Sequence, residues 1–201
     1  MGKLNLIKQH AAYYKANAKP VELEIEPINC LAISGIGAPD GELFQKSIGA
    51  LYATAYTVKK YGKSDGTDFV VPKLEAFWWV EGGLIFDQTP QNEWHWQLMI
   101  RMPEFVTNDH VDQAVEEVIK KKNLVLANEV QLKPINEGRS VQVLHIGSYY
   151  QEEPSINKIL DYMKLNGLEM NGYHHEIYIS DPTKTAEEKL KTIIRYAVKE
   201  N

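Results

Sequence analysis

The sequence predicts an α+β fold made of two similar halves around an antiparallel sheet. Three observations carry that prediction. A strand running into glycine occurs twice, as Ala32-Ile-Ser-Gly-Ile-Gly-Ala and as Leu144-His-Ile-Gly-Ser-Tyr. Each is followed by a helix-period stretch with a glycine stop. Each then meets a strand with an acid at the same place, Glu75-Ala-Phe-Trp-Trp-Val or Glu176-Ile-Tyr-Ile-Ser-Asp. Such repetition reads as a duplicated unit with pseudo-two-fold symmetry. The open sheet face between two such halves would be concave, the ordinary place for a ligand.

Residues 3–19 carry Leu4, Ile7, Ala11 and Tyr14 at helical spacing and read as a short docking helix ended by Pro20. Over 21–28, Val21, Leu23 and Ile25 alternate with Glu22, Glu24 and Glu26, the pattern of a half-buried strand. A second strand, 29–37, ends in glycines. Residues 42–61 form a helix with Leu43, Ile48, Leu51, Ala55 and Val58 as its apolar stripe, stopped by Gly62. Extended segments at 69–71 and 74–80 flank Pro72, a turn falls at Gly82-Gly83, and a loop over 86–93 leads to a strand at 94–101.

The second half repeats the order. A helix over 109–122 buries Val111, Ala114, Val115, Val118 and Ile119, and its lysines suit the C-terminal end of the helix dipole. Residues 124–132 are extended with local helical character, and 140–147 form a strand. Residues 154–166 form a helix with Ile156, Ile159, Leu160 and Met163 facing in. A strand spans 172–182, and Thr185-Ala-Glu-Glu188 opens the terminal segment like a capping box. The expected organisation is one domain over 1–201, with a docking helix at 1–19 and halves at 20–103 and 104–201.

Composition narrows the function. A chain of 201 residues with 44% hydrophobic content buries a sizeable core. The net charge of −5, with no basic tract longer than Lys120-Lys121-Lys122, argues against nucleic acid as a partner. The single cysteine, Cys30, excludes an internal disulfide and a Cys-rich zinc site, and its aliphatic surroundings make it inert core. No apolar leader and no bilayer-length run occurs, so a soluble cytoplasmic protein without membrane partners is expected.

Chemistry concentrates in the 172–182 strand. Side chains alternate, so His174, Glu176, Tyr178 and Ser180 share one face, while His175, Ile177 and Ile179 share the other, which can pack on helices. A mid-strand glutamate is unusual: either it faces solvent or it is held partly buried for a purpose. In the 74–81 strand, Glu75, Phe77, Trp79 and Glu81 point one way, and the duplication puts Phe77 and Trp79 on the face of Glu176 and Tyr178. Trp94 and Trp96 share a face of the next strand, and Tyr149 and Tyr150 follow the Gly147 turn at the rim. The tryptophans read either as core or as part of a cup of rings around one carboxylate, which suits flat aromatic or cationic molecules.

His174-His-Glu-Ile-Tyr-Ile-Ser-Asp-Pro, Gln142-Val-Leu-His-Ile-Gly-Ser-Tyr-Tyr, Phe77-Trp-Trp-Val-Glu-Gly and Glu187-Glu-Lys-Leu-Lys-Thr-Ile-Ile-Arg together resemble the GyrI-like small-molecule-binding family over nearly the whole chain. That resemblance implies a duplicated SHS2-type βαββ module with a central ligand cleft. It further implies kinship with multidrug-regulator effector domains, a gyrase-inhibitory protein, and stand-alone hydrolases of cyclopropane-bearing genotoxins. In those hydrolases a tryptophan works across the cleft from a glutamate or tyrosine. Carried over, the glutamate is Glu176 and the tryptophan is Trp79, with Trp96 as the alternative. The family form has Pro before Tyr149; Ser148 here predicts a looser rim turn.

The resulting expectation is a cofactor-free hydrolase with Glu176 and Tyr149 as catalytic residues. Glu176 would orient or deprotonate water, and Tyr149, Tyr150 or Tyr178 would donate to the substrate carbonyl. Trp79, Trp96, Phe77, Tyr150, Tyr178, His174 and Trp94 would bind ligand. The alternatives are a non-catalytic module for lipophilic cations and an inhibitor-type interaction protein, as a monomer or weak dimer. A metal hydrolase using His145, His174, His175 and Glu176 is disfavoured because parity splits the histidine pair. A covalent serine nucleophile is not expected.

Overall fold

The computed structural model describes residues 2–82 and 88–201. In chain order its elements begin with α1 (Leu6–Gln9), β1 (Val21–Ile25), β2 (Ile28–Ile36), α2 (Glu42–Ser64), β3 (Leu74–Trp79) and β4 (His95–Arg101). They continue with α3 (Asn108–Lys122), β5 (Gln131–Ile135), β6 (Gly138–Ile146), α4 (Glu153–Leu165), β7 (Leu168–Met170), β8 (His174–Tyr178) and β9 (Lys191–Glu200). The architecture is α+β, with antiparallel strand pairing. No described helix is long and apolar enough to cross a membrane.

Two compact units interleave along the chain. Unit 1 holds Met1–Gln9, Ile28–Pro72 and Trp78–Ile135; unit 2 holds His10–Pro27, Lys73–Phe77 and Asn136–Asn201. The interleaving comes from strand pairing. β1 precedes β2 in sequence yet pairs with β6, while β5 precedes β6 yet pairs with β2. The leading strand of each predicted half therefore belongs to the unit built around the other.

In unit 1, β2 lies between β4 and β5, and α2 packs on this sheet. Phe44 of α2 stacks on Trp78 at 5.2 Å and meets Trp96 edge-on at 5.2 Å. The buried stripe of α2 runs through Phe44, Leu51, Ala55 and Val58, whereas Leu43, expected inside, is 45% exposed. Gly62 does not stop this helix, which closes at Asp65 by donating its N–H to the carbonyls of Tyr61 and Lys63. α3 starts from Thr107, whose side chain accepts from the His110 N–H, and it packs Val118 against Ala53 and Ala127. Phe69 makes a single bridge to Leu4 instead of a strand. Of the predicted turn at 82–83 and loop at 86–93, residues 83, 86 and 87 lie outside the described residues.

In unit 2, β9 is the central strand, with β6 on one side and β8 on the other, and β7 pairs with its end. The capping-box reading of 185–188 gives way to a 3-10 turn at Glu187–Lys189 followed by this ten-residue strand. The β-branched run Thr192, Ile193, Ile194 favours extension, and both faces from Thr192 to Val198 are buried. α4 packs on β6 and β9 through Ile159 and Met163 against Val141, Val143, Ile194 and Tyr196. Leu160, expected inside, is 37% exposed.

The N-terminal segment is helical only over Leu6–Gln9. Beyond it, the carbonyls of Ala12 and Lys15 accept from the Gln142 side chain, that of Tyr13 from Arg195, and that of Asn17 from the Leu144 N–H. Those outside donors take up the acceptors that a longer helix would have used internally.

The repeated strand-glycine pattern has the same local geometry in both units. Gly37 follows β2 at φ 136° and Gly147 follows β6 at φ 134°, a region that glycine enters without a steric penalty. The Gly37 N–H donates to the Trp94 carbonyl just before β4, and the Gly147 N–H to the Leu190 carbonyl just before β9. The same strand-glycine geometry thus recurs after β2 and after β6.

Candidate functional site

β8 separates two clusters of ionisable side chains, as its alternation requires. On one face His174 is the hub. Its Nδ1 lies 2.7 Å from the Tyr196 hydroxyl, and its Nε2 lies 3.0 Å from Glu176 Oε1 and 3.6 Å from Glu152 Oε2. Tyr149 and Tyr178 meet edge-on at 5.6 Å beside this group. The Glu176 side chain keeps 12% of its surface, against 6% for Glu152.

This face is also the one that carries α4. Glu176 pairs in register with Ile194, which packs on Ile159 and Met163 of the helix. The expectation that the His175 side would take the helices is therefore reversed, and the cluster sits where the turn before α4 delivers Glu152. His145 holds that turn. Its ring lies 3.0 Å from the Ser148 carbonyl and 3.1 Å from the Ser155 hydroxyl, and Nε2 donates to the carbonyl. Ser148 does not leave the rim loose, since it is buried and its hydroxyl accepts from the Tyr150 N–H.

Electrostatics follow from burial. Desolvation, reinforced by the Glu176 charge, pushes Glu152 up to about 7 against the opposing pull of His174. Burial alone would lower His174, but its hydrogen bonds to Glu152 and Glu176 win and raise it well above the usual imidazole range. Tyr149 is pushed up to about 12, first by burial and then by the charges of Glu176, Glu152 and Asp181, so it is a proton donor at neutral pH.

The opposite face of β8 holds a closed network. His175 contacts Glu137 at 2.9 Å and Glu75 at 3.1 Å through its two ring nitrogens. The Tyr13 hydroxyl donates to Glu75 at 2.5 Å. Arg195 donates to Glu137 at 3.2 Å, to Gln142 at 3.1 and 2.7 Å and to the Tyr13 carbonyl at 2.7 Å, with its guanidinium 4.1 Å above the Tyr13 ring. With both histidine nitrogens donating, two cations balance two carboxylates, and these polar groups are built into the interior rather than offered to a ligand.

The predicted ligand residues distribute unevenly. Glu176, His174, Tyr178 and Tyr149 come together in unit 2, and Tyr150, on the same turn, is 70% exposed. Phe77 packs on His175 at 4.6 Å, the opposite side of β8 from Glu176, which corrects the shared face expected for them. Within unit 1, Trp96 is completely buried against Phe44 and Gly35, and the Trp94 indole N–H donates to the Thr89 carbonyl. Trp79 stacks on His95 at 5.4 Å; His95 lines a surface concavity with Ile36, Glu81, Thr89, Asn92 and Glu93. Sequence reasoning missed Glu152 and Tyr196. Nothing local separates Glu152 from Glu153, and Tyr196 was hidden in a segment read from its cap.

The chain belongs to the GyrI-like small-molecule-binding domain family, whose model matches residues 18–199. It is similar to an uncharacterised conserved protein from Listeria innocua, at 38% identity and TM-score 0.92, covering 98% of this chain and 100% of that one. It is also similar to a hydrolase from Listeria innocua, at 36% identity and TM-score 0.89 with the same coverage. The EcmrR C-terminal domain shares the fold at 14% identity and TM-score 0.58, covering 91% of this chain and 98% of that domain. Among curated proteins, none matches.

Proposed function

We propose that this GyrI-like protein binds flat hydrophobic molecules and opens activated cyclopropane rings in them by adding water. The reading is supported by one arrangement above all: the partly accessible Glu176 carboxylate and the protonated Tyr149 phenol belong to the same cluster. Water attacks a ring carbon conjugated to a carbonyl, and its proton passes to Glu176. The strained C–C bond breaks, its electron pair moves into the conjugated system, and the carbonyl oxygen takes a proton from Tyr149. Return of the Glu176 proton to the phenolate through solvent restores both groups. His174 orients Glu176 from behind. Similarity to a hydrolase over the full length of both chains favours turnover over storage.

The test is to incubate the protein with a spirocyclopropyl dienone and follow the product heavier by one water by mass spectrometry. Glu176→Gln is expected to lose about 10²- to 10⁴-fold in rate, the usual worth of a positioned base. Unchanged turnover in that variant removes Glu176 from the mechanism. Saturable one-to-one binding without product in the wild type would instead identify a drug-binding module in which Glu176 is a counter-ion.

A further inference from the structure

Among the described residues, the hydrogen bonds around His174 leave one carboxylate oxygen on the α4 face of β8 unmatched. His174 Nε2 offers a single N–H to two carboxylates, Glu152 and Glu176. Glu152 Oε1 is buried with no hydrogen-bond partner among the described residues, in a residue that is only 6% exposed. Thr192, which pairs with Tyr178 and His145 in the register of β9, has a buried hydroxyl that likewise lacks a partner among the described residues. An orphaned buried carboxylate oxygen costs free energy unless something supplies positive charge to it.

We propose that Glu152, His174 and Glu176 form a binding site for a first-row divalent cation. One ligand atom from each lies within 4.8 Å of the other two. Tetrahedral bonds of about 2.0–2.2 Å set ligand-to-ligand separations of about 3.3–3.5 Å. The Nε2 distances of 3.0 and 3.6 Å to the two carboxylates bracket that range, so a small rotation of either glutamate admits the ion. Donor chemistry of one imidazole and two carboxylates fits zinc and its neighbours in the first row better than magnesium, which prefers oxygen alone. The outer shell is also in place. With an ion in place of the Nε2 proton, His174 Nδ1 would donate to the Tyr196 hydroxyl 2.7 Å away, which would fix the ring with its Nε2 lone pair toward the ion. Glu152 is fixed through its backbone, whose carbonyl accepts from the Ser155 N–H at 2.8 Å, while Ser155 is held by His145. The objection that strand parity splits His174 from His175 does not reach this site, because the third ligand comes from the turn before α4.

The site shares Glu176 with the proposed hydrolysis, and the two readings make opposite demands on it. An ion held there takes the Glu176 oxygen away from its role as base, so zinc is expected to slow ring opening. Ion binding is measured without substrate and ring opening in chelator, so each fails on its own. Protein stripped with chelator and dialysed is titrated with zinc chloride by calorimetry and with cobalt chloride by visible absorption. Expected is one equivalent of zinc per chain with micromolar or tighter affinity, and a visible d–d band with cobalt. Tyr196→Phe should weaken zinc binding about 10- to 100-fold through the outer shell. His174→Ala and Glu152→Gln, checked for folding by circular dichroism, should abolish the single-site isotherm. The proposal is overturned if no heat and no cobalt band appear, or if binding persists unchanged in folded Glu152→Gln and Tyr196→Phe.

Discussion

Replacing Arg195 with methionine probes the network on the far side of β8 most sharply. The guanidinium is completely buried and makes four hydrogen bonds, to Glu137, twice to Gln142 and to the Tyr13 carbonyl. Methionine fills part of the volume but strands these acceptors. Glu137 keeps His175 at 2.9 Å and loses its second cation, so one net negative charge is left in the interior. Removing one partner of a buried pair costs about 3–5 kcal/mol, and a stranded neutral acceptor about 1–3 kcal/mol, with incomplete additivity. Arg195→Met is therefore expected to destabilise unit 2 by about 3–5 kcal/mol. Urea unfolding followed by far-UV circular dichroism, with hydrogen exchange of the β9 amides as a local readout, measures the loss. Adding Glu137→Gln to the same chain should return part of it, because the charge left behind is then gone. A loss below about 1.5 kcal/mol, or no recovery in the double variant, would refute the claim that charge balance holds this network together.

Two further outcomes follow from named contacts. A methyl group at Gly35 would sit 2.4 Å and 2.5 Å from two ring atoms of Trp96, its register partner, whose ring is fully enclosed. Gly35→Ala should therefore cost about 1–3 kcal/mol by overpacking, with partial rescue by Trp96→Leu, read from urea midpoints. For Glu137, burial acts upward, but the His175 and Arg195 charges outweigh it and hold the carboxyl at about 2 against an ordinary 4.5. A depressed folded value means that its stabilisation is complete above pH 4.5 and is lost as pH falls toward 2. Urea midpoints between pH 6 and 3 should fall more steeply in the wild type than in Glu137→Gln, and parallel curves would contradict that assignment.

Much of the local design was legible because strand alternation is a short-range property. Parity alone separated His174 and Glu176 from His175 and put Tyr178 with the former. The same kind of anomaly could have exposed the second network: Arg195 stands among Ile193, Ile194, Tyr196, Ala197 and Val198, as odd in an apolar run as Glu176. The capping-box signal at Thr185 hid it, since a local start pattern took precedence over a β-branched run that the tertiary structure buries on both faces. Phe77 was misassigned because its shared face was inferred from the repeat, whereas its actual neighbour across the sheet is His175.

By itself the sequence determined the α+β class, the repeated strand-glycine-helix order, family membership, and which side chains of β8 travel together. These depend on periods of two and 3.6 residues and on glycine's access to positive φ, all encoded within a few neighbours. Only the tertiary structure decided that β1 and β5 pair outside their own halves, that α4 covers the Glu176 face, and that Glu152 and Tyr196 complete its cluster. Those outcomes rest on contacts between residues far apart in the chain, where burial of an apolar face and satisfaction of a buried charge are settled together.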